Sequence, residues 1–270
     1  MVAEPTARIL PPAAARGTGA GVALVWLALL AGCATTPPAS EPEAVTEFNE
    51  NNDPAEPTNR ALYEVHDAVD TTVLEPVARG YRDVVPTPAR TGIHNLLLNL
   101  GSPVRLGNDM AQGSPRRAGD TAMRLLINST VGVLGIFDVA KEWGYPGHET
   151  NFGDTLAIWG VPEGPFVFVP GLGPSNARDA GGFAVNVTAD PLLWVGQGWA
   201  VVTATWIDAG IYVIDQRAQL LDTVDQIKKG ALDPYATFRS AYHQNRQTKI
   251  QTLKDDKAAT IPVWFPQAQR

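Results

Sequence analysis

From residue 53 onward, apolar side chains return every three or four positions. Leu62, Val65, Val69 and Val73 follow Asp53; Ile93, Leu96, Leu97 and Leu100 follow Thr87. Ala118, Ala122, Leu125 and Leu126 follow Ser114, and Tyr235, Phe238 and Tyr242 follow Asp233. This is the helical period. The starts share a device: Asp53-Pro54, Thr87-Pro88, Ser102-Pro103, Ser114-Pro115, Asp190-Pro191 and Asp233-Pro234. Each puts a short polar side chain that can accept a backbone N–H before a proline suited to the first helical turn. Glu56, three residues after Asp53, completes a variant of the capping box. The pattern predicts a mostly α protein. Residues 152–174 break it, being dense in Gly and Pro around the β-prone run Phe166-Val167-Phe168-Val169. A short hairpin or extended crossing is expected there.

Three stretches are greasier than their neighbours. Residues 131–140 (VGVLGIFDVA) carry one charge, Asp138. Residues 191–207 (PLLWVGQGWAVVTATWI) carry none, include Trp194, Trp199 and Trp206, and fall just short of a spanning helix. A buried core helix and a surface seated in a membrane interface both fit this second stretch. The third, residues 21–30 (GVALVWLALL), follows Arg8 and Arg16 and has the length of a secretory h-region, too short to cross a bilayer. It runs into Leu30-Ala31-Gly32-Cys33, which resembles the lipobox of bacterial lipoproteins. That resemblance implies cleavage before Cys33, a diacylglycerol on its sulfur and an acyl group on its new amine. Ala34 follows where an aspartate would suggest inner-membrane retention, which by resemblance to lipoprotein sorting in enterobacteria implies the outer membrane.

The chain is thereby divided into a signal peptide (1–32), a lipidated cysteine with a flexible linker (33–52), a helical domain (53–245) and a polar C-terminal tail (246–270). Without residues 1–32, 27 acidic residues stand against 19 basic ones, a net charge near −8. That argues against nucleic acid, whose binding depends on Lys and Arg neutralising phosphates. A single cysteine leaves stability to packing.

Catalytic signatures are lacking. His66, His94, His148 and His243 have no metal-site spacing, and no G-x-S-x-G elbow occurs. Gly171 and Gly173 read as a turn. Asp208, Asp215 and Asp222 are seven apart, so a helix stacks them on one side, lining a polar path, binding a cation or facing solvent. Arg178-Asp179 before Gly181-Gly182 fits either a headgroup contact or a fixed turn. No enzyme activity, metal or cofactor is expected beyond the covalent lipid on Cys33.

Asp53-Pro54 with Asn59-Arg60, Tyr81-Arg82-Asp83-Val84-Val85-Pro86 and Pro88-Ala89-Arg90 with Gly92 resemble the opening of the MlaA (VacJ) family of outer-membrane lipoproteins. Further matches keep the family's order: Asn108 with Gln112-Gly113, Gly132 and Gly135 with Phe137-Asp138, Phe152-Gly153 with Thr155-Leu156, Arg217 to Asp222, and Asp233-Pro234-Tyr235. The resemblance implies a single ring-like helical domain held in the periplasmic leaflet of the outer membrane. An amphipathic channel would pass misplaced phospholipids to a periplasmic carrier of the Mla system, with trimeric porins as further partners. It also implies a gating segment at Gly132, Gly135, Phe137 and Asp138. Arg178, Asp179, Asp208, Asp215 and Arg217 are the candidate pore or headgroup contacts. The alternative is a structural or adhesion lipoprotein with no transport role.

Overall fold

The structure, a computed structural model, describes residues 37–38, 40–189 and 199–255. Cys33, the Asp190-Pro191 start, Trp194 and residues 256–270 lie outside them. Helices dominate. In chain order they are α1 (Pro42–Asn51), α2 (Glu56–Val69), a π-helical turn (Asp70–Leu74), α3 (Glu75–Val84), α4 (Thr87–Leu100), α5 (Ser102–Ala111), α6 (Pro115–Thr130), α7 (Val139–Glu142) and α8 (Phe152–Ile158). The hairpin β1 (Phe166–Val169) and β2 (Gly173–Asn176) follows, then α9 (Ala177–Ala189), α10 (Trp199–Gly230) and α11 (Pro234–Lys254). The mostly α architecture and the expected hairpin are both present. The strands pair antiparallel from Phe166↔Asn176 to Val169↔Gly173, and Gly171 and Gly173 turn the chain at φ of 87° each.

The proline starts place the helices well, yet the capping chemistry differs from expectation. Among the five described starts, only Asp233 caps its helix by accepting a backbone hydrogen bond, from the N–H of Ala236. Asp53 is buried three residues before α2 and receives Asn59 Nδ2 (2.7 Å), the Tyr235 hydroxyl and Arg239 Nη1 (2.9 Å). The hydroxyl of Ser102 donates to Leu98 O instead (3.1 Å). Proline supplies the helical φ by itself, which frees these side chains for tertiary bonds. Two caps without proline were missed: Asp138 on α7, and Asn151, which forms a capping box with Asp154 on α8.

Two boundaries also shift. Residues 42–51 of the expected linker form α1, and Asn52 is fixed to the hairpin, its Nδ2 on Gly164 O (2.6 Å) and its O accepting from Phe166 N (2.7 Å). Helix α11 passes the boundary at 245, and Arg246 and Leu253 are buried in it.

The packing pairs form a closed circuit: α2 and the π-turn lead to α3, α3 packs on α10, α10 on α4, α4 on α5, α5 on α8, α8 on α9, and α9 on the hairpin, which returns to α2. Helices α8 and α9 cross where a Cβ on Gly182 would lie 2.3 Å from Gly153 N. Apolar cores are small: Ala78, Ala218 and Leu221 with Tyr81; Ile127, Ala140 and Tyr145; Phe166, Phe168 and Tyr235 with Leu62, Tyr63 and Tyr242.

Candidate functional site

Side-chain chemistry is inverted relative to an ordinary soluble domain. Among the described residues, 27 large hydrophobics are exposed, whereas 13 buried hydrophobics are outnumbered by 18 buried polar or charged residues. An exposed apolar surface of this extent marks an interface. From α2 through the π-turn to α3 it forms a stripe of Val65, Val69, Val73 and Val77, while Asn59 and Asp70 are buried. On the 131–138 loop it comprises Val131, Val133, Leu134, Ile136 and Phe137; on α9, Phe183, Val185 and Val187; on α10, Ile207, Ile211 and Val213. No helix among the described residues is long and apolar enough to cross a membrane.

The expected gating residues lie in a strained, strapped loop. Val133 and Leu134 take φ of 52° and 60°, costing about 1–3 kcal/mol each. A Cβ on Gly135 (φ 100°) would sit 2.4 Å from Asn99 Cβ, and one on Gly132 would sit 2.3 Å from Phe137 O. Asn99 Nδ2 donates to Leu134 O (3.2 Å) and Asn95 Nδ2 to Ile136 O (3.2 Å), tying the loop to α4. Asp138 closes it, taking two bonds of 2.9 Å from Arg124 Nη2 and one of 3.0 Å from Asn128. Burial pushes the Asp138 carboxyl up, but the Arg124 and Asn128 donors outweigh it and hold it below the usual carboxylate range. Phe137 stays exposed.

The candidate headgroup contacts separate into distinct settings. Asp179 accepts from Arg246, Tyr242 Oη (2.6 Å) and Asn176 Nδ2 (3.1 Å), with Arg178 Nε at 3.2 Å. Burial raises its carboxyl, yet Arg246 and Tyr242 reverse that and depress it. Arg178 also donates to Val161 O (3.3 Å). Arg217 forks onto Asp70 (2.6 and 2.8 Å), joined by Lys228 at 3.1 Å. These donors likewise override burial and depress Asp70. Both groups knit the circuit together from inside.

The three acids of α10 do not share an environment. Asp222 is largely exposed and pairs with Arg82 (2.9 Å), Asp208 is half-buried, and Asp215 is buried. Seven residues keep them on nearly one side, but the long helix passes different neighbours along its length. Asp215 lines a cavity. It accepts from His94 Nδ1 (2.8 Å), Gln219 Nε2 (2.9 Å) and Tyr81 Oη (3.3 Å), in a cleft of about 260 Å³ that Arg90, Thr87 and Thr91 also line.

Of the remaining histidines, His148 and His66 serve as bonds. His148 Nε2 meets Asp109 Oδ1 at 2.7 Å, His66 accepts from Gly171 N (3.1 Å), and His243 is 3.9 Å from Glu163. No cluster of three His, Cys, Asp or Glu able to hold a metal occurs among the described residues.

Sequence reasoning missed the polar seam of α11. Tyr235, Arg239, Tyr242, Arg246, Lys249 and Leu253 recur at alternating spacings of four and three, the repeat of a packed helix seam. Arg239 meets Asp53, Arg246 meets Asp154 and Asp179, Lys249 meets Asp154 (3.1 Å), and Leu253 O accepts from Arg117 (3.0 Å). The signal was the spacing, hidden because charged residues fill positions where apolar ones are looked for.

The MlaA lipoprotein family matches residues 51–249. The intermembrane phospholipid transport system lipoprotein MlaA of Haemophilus influenzae is 33% identical over 84% of this chain and 88% of its own length. That of Escherichia coli is 34% identical over 80% and 82%. A chain solved in work on the structural basis for maintenance of bacterial outer membrane lipid asymmetry superposes with a TM-score of 0.62 at 33% identity, covering 73% of this chain and 98% of that one. With its lipobox-like Cys33, its inverted surface and these matches, the chain belongs to the MlaA lipoprotein family.

Proposed function

We propose that this lipoprotein is a non-enzymatic phospholipid conduit of the outer membrane. It removes phospholipids misplaced in the outer leaflet through an amphipathic channel and hands them to a periplasmic carrier of the Mla system, with trimeric porins as further partners. The observation that carries the reading is the inversion: large apolar side chains turned outward, arginines and carboxylates turned inward. Acyl chains accept the first, and a headgroup on its way through a hydrated path tolerates the second. Polar groups facing lipid would cost several kcal/mol each. Cys33 holds the domain at the membrane, and two or more acyl chains make that durable. The 131–138 loop, apolar outside and pinned by Asn95, Asn99 and Arg124, is the gate.

Outer-leaflet phospholipid, read with a membrane-impermeant headgroup label, tests this. Deleting the gene raises the label, the wild type reverses the rise, and Cys33→Ala does not. Unchanged labelling on deletion would favour the structural or adhesion role.

A further inference from the structure

We infer that the cleft between the first two turns of α4 and the middle of α10 binds a phosphate oxyanion, with Arg90 as its principal ligand. Among the described residues, eight arginines have a carboxylate within 4.0 Å: Arg60, Arg79, Arg82, Arg124, Arg178, Arg217, Arg239 and Arg246. Arg90 does not. Its one hydrogen bond runs from Nη2 to Thr87 Oγ1 (3.1 Å), and its Nε is buried with no partner. Nε is closed to solvent, so the guanidinium N–H groups open to an anion in the cleft are those of Nη1, which has no protein partner. Thr87, Arg90, Thr91 and His94 recur at three and four residues, so two turns of one helix face present two hydroxyls, a guanidinium and an imidazole to one cavity. The positive end of the α4 dipole adds to the field.

The carboxylate that also lines this cleft does not oppose an anion strongly. Asp215 is saturated by Tyr81, His94 and Gln219. Because a carboxylate only accepts, the Nδ1 of His94 carries the proton, and the 2.9 Å approach of Gln219 Nε2 to that nitrogen is a by-product of both donating to Asp215. In that tautomer His94 Nε2 holds a lone pair and has no N–H for an oxyanion, so the donors facing the ligand are Arg90 and the two threonine hydroxyls. At about 260 Å³ the cleft falls below the roughly 300–1,000 Å³ of whole small-molecule sites, which suits a phosphate and not acyl chains. The oxyanion is a lipid phosphodiester or free phosphate; only the choice of a lipid source rests on the conduit reading.

The test uses the full-length lipidated protein in maltoside detergent, titrated calorimetrically with dihexanoyl phosphatidylglycerol in one arm and inorganic phosphate in the other. Saturable binding in either arm, about tenfold weaker in Arg90→Gln and partly kept in Arg90→Lys, is expected. The arm that responds identifies the source. If Arg90→Gln fails to fold, protection of wild-type Arg90 from phenylglyoxal by the same two probes, read by mass spectrometry, takes its place. Equal binding by wild type and Arg90→Gln, binding to neither probe, or no protection overturns the site. Arg90-dependent binding with outer-leaflet phospholipid unchanged on gene deletion would keep the site and remove the conduit. Normal rescue by Arg90→Gln with unaltered binding would do the reverse.

Discussion

Asp179 gathers donors from three directions, and Asp154, fully buried, shares Arg246 with it. Removing one partner from such a buried pair typically costs about 3–5 kcal/mol, because the other charge stays in a low-dielectric site. Asp179→Asn should therefore lower stability by about 3 kcal/mol in denaturant titrations, while exposed Asp222→Asn should change it by less than about 0.5 kcal/mol. The depressed carboxyls of Asp70, Asp138 and Asp179 fix the pH dependence. A carboxyl with a lowered folded pKa stabilises fully above its unfolded value of about 3.9 and loses that contribution as pH falls through the folded value. The melting temperature should hold from pH 7 to about pH 5 and drop below about pH 4; a flat profile to pH 3 would remove these carboxylates as stabilisers. Sequence paired Asp179 with Arg178 but not with Arg246, which lies 67 residues from it and 92 from Asp154. Local spacing carries no record of contacts that distant.

Helix α2 shows what the hydrophobic pattern contains and what it omits. The spacing of Val65, Val69 and Val73 identified a helix, and ordinarily that face would be the core; here Asn59 and Asp70 are inside and the valines outside. Period reports that two faces differ, not which of them meets solvent, lipid or protein. The π-turn refines the outer face. In an α-helix a four-residue step overshoots a turn by about 40°, whereas at about 4.4 residues per turn the π-turn undershoots by about 33°. The step from Val69 to Val73 across Asp70–Leu74 reverses the drift and keeps the stripe straight. Replacing Val69 and Val73 with Asn should leave melting nearly unchanged, since both are about half exposed, at 51% and 52%. It should weaken flotation of a form beginning at residue 37 with phospholipid vesicles by at least about tenfold. Equal flotation would mean the stripe does not meet lipid. Helix ends were legible for a different reason, because proline dictates φ wherever it falls. The α8–α9 crossing was not, as Gly153 and Gly182 show their purpose only once paired, and Gly182→Ala should prevent that approach and abolish a cooperative melt.

At the scale of the whole molecule, α11 is the strap across a circuit whose apolar cores are small. It reaches Asp53 near the start of the described domain, the hairpin through Tyr235 and Tyr242, Asp154 and Asp179 at α8 and α9, and Arg117 on α6. Nearly every one of these joints is polar, so its strength depends on complete pairing: a half-satisfied buried network is worse than none. Truncation separates the strap from the polar tail beyond it. A chain ending at residue 255 keeps every joint named above and should retain wild-type melting and restore low outer-leaflet phospholipid in the deletion strain. One ending at residue 244 loses Arg246, Lys249 and Leu253, leaving Asp154 without either cation and Asp179 with Arg178 alone among its ionic partners. One stranded carboxylate and a second stripped of its main cation, at several kcal/mol for the first and less for the second, approach the 5–15 kcal/mol by which whole domains are stable. That chain should be degraded in the envelope and fail to rescue. Should it instead fold and rescue, the circuit would be closed by the hairpin and α2 without the strap, and the buried charges of α11 would need a purpose other than stability.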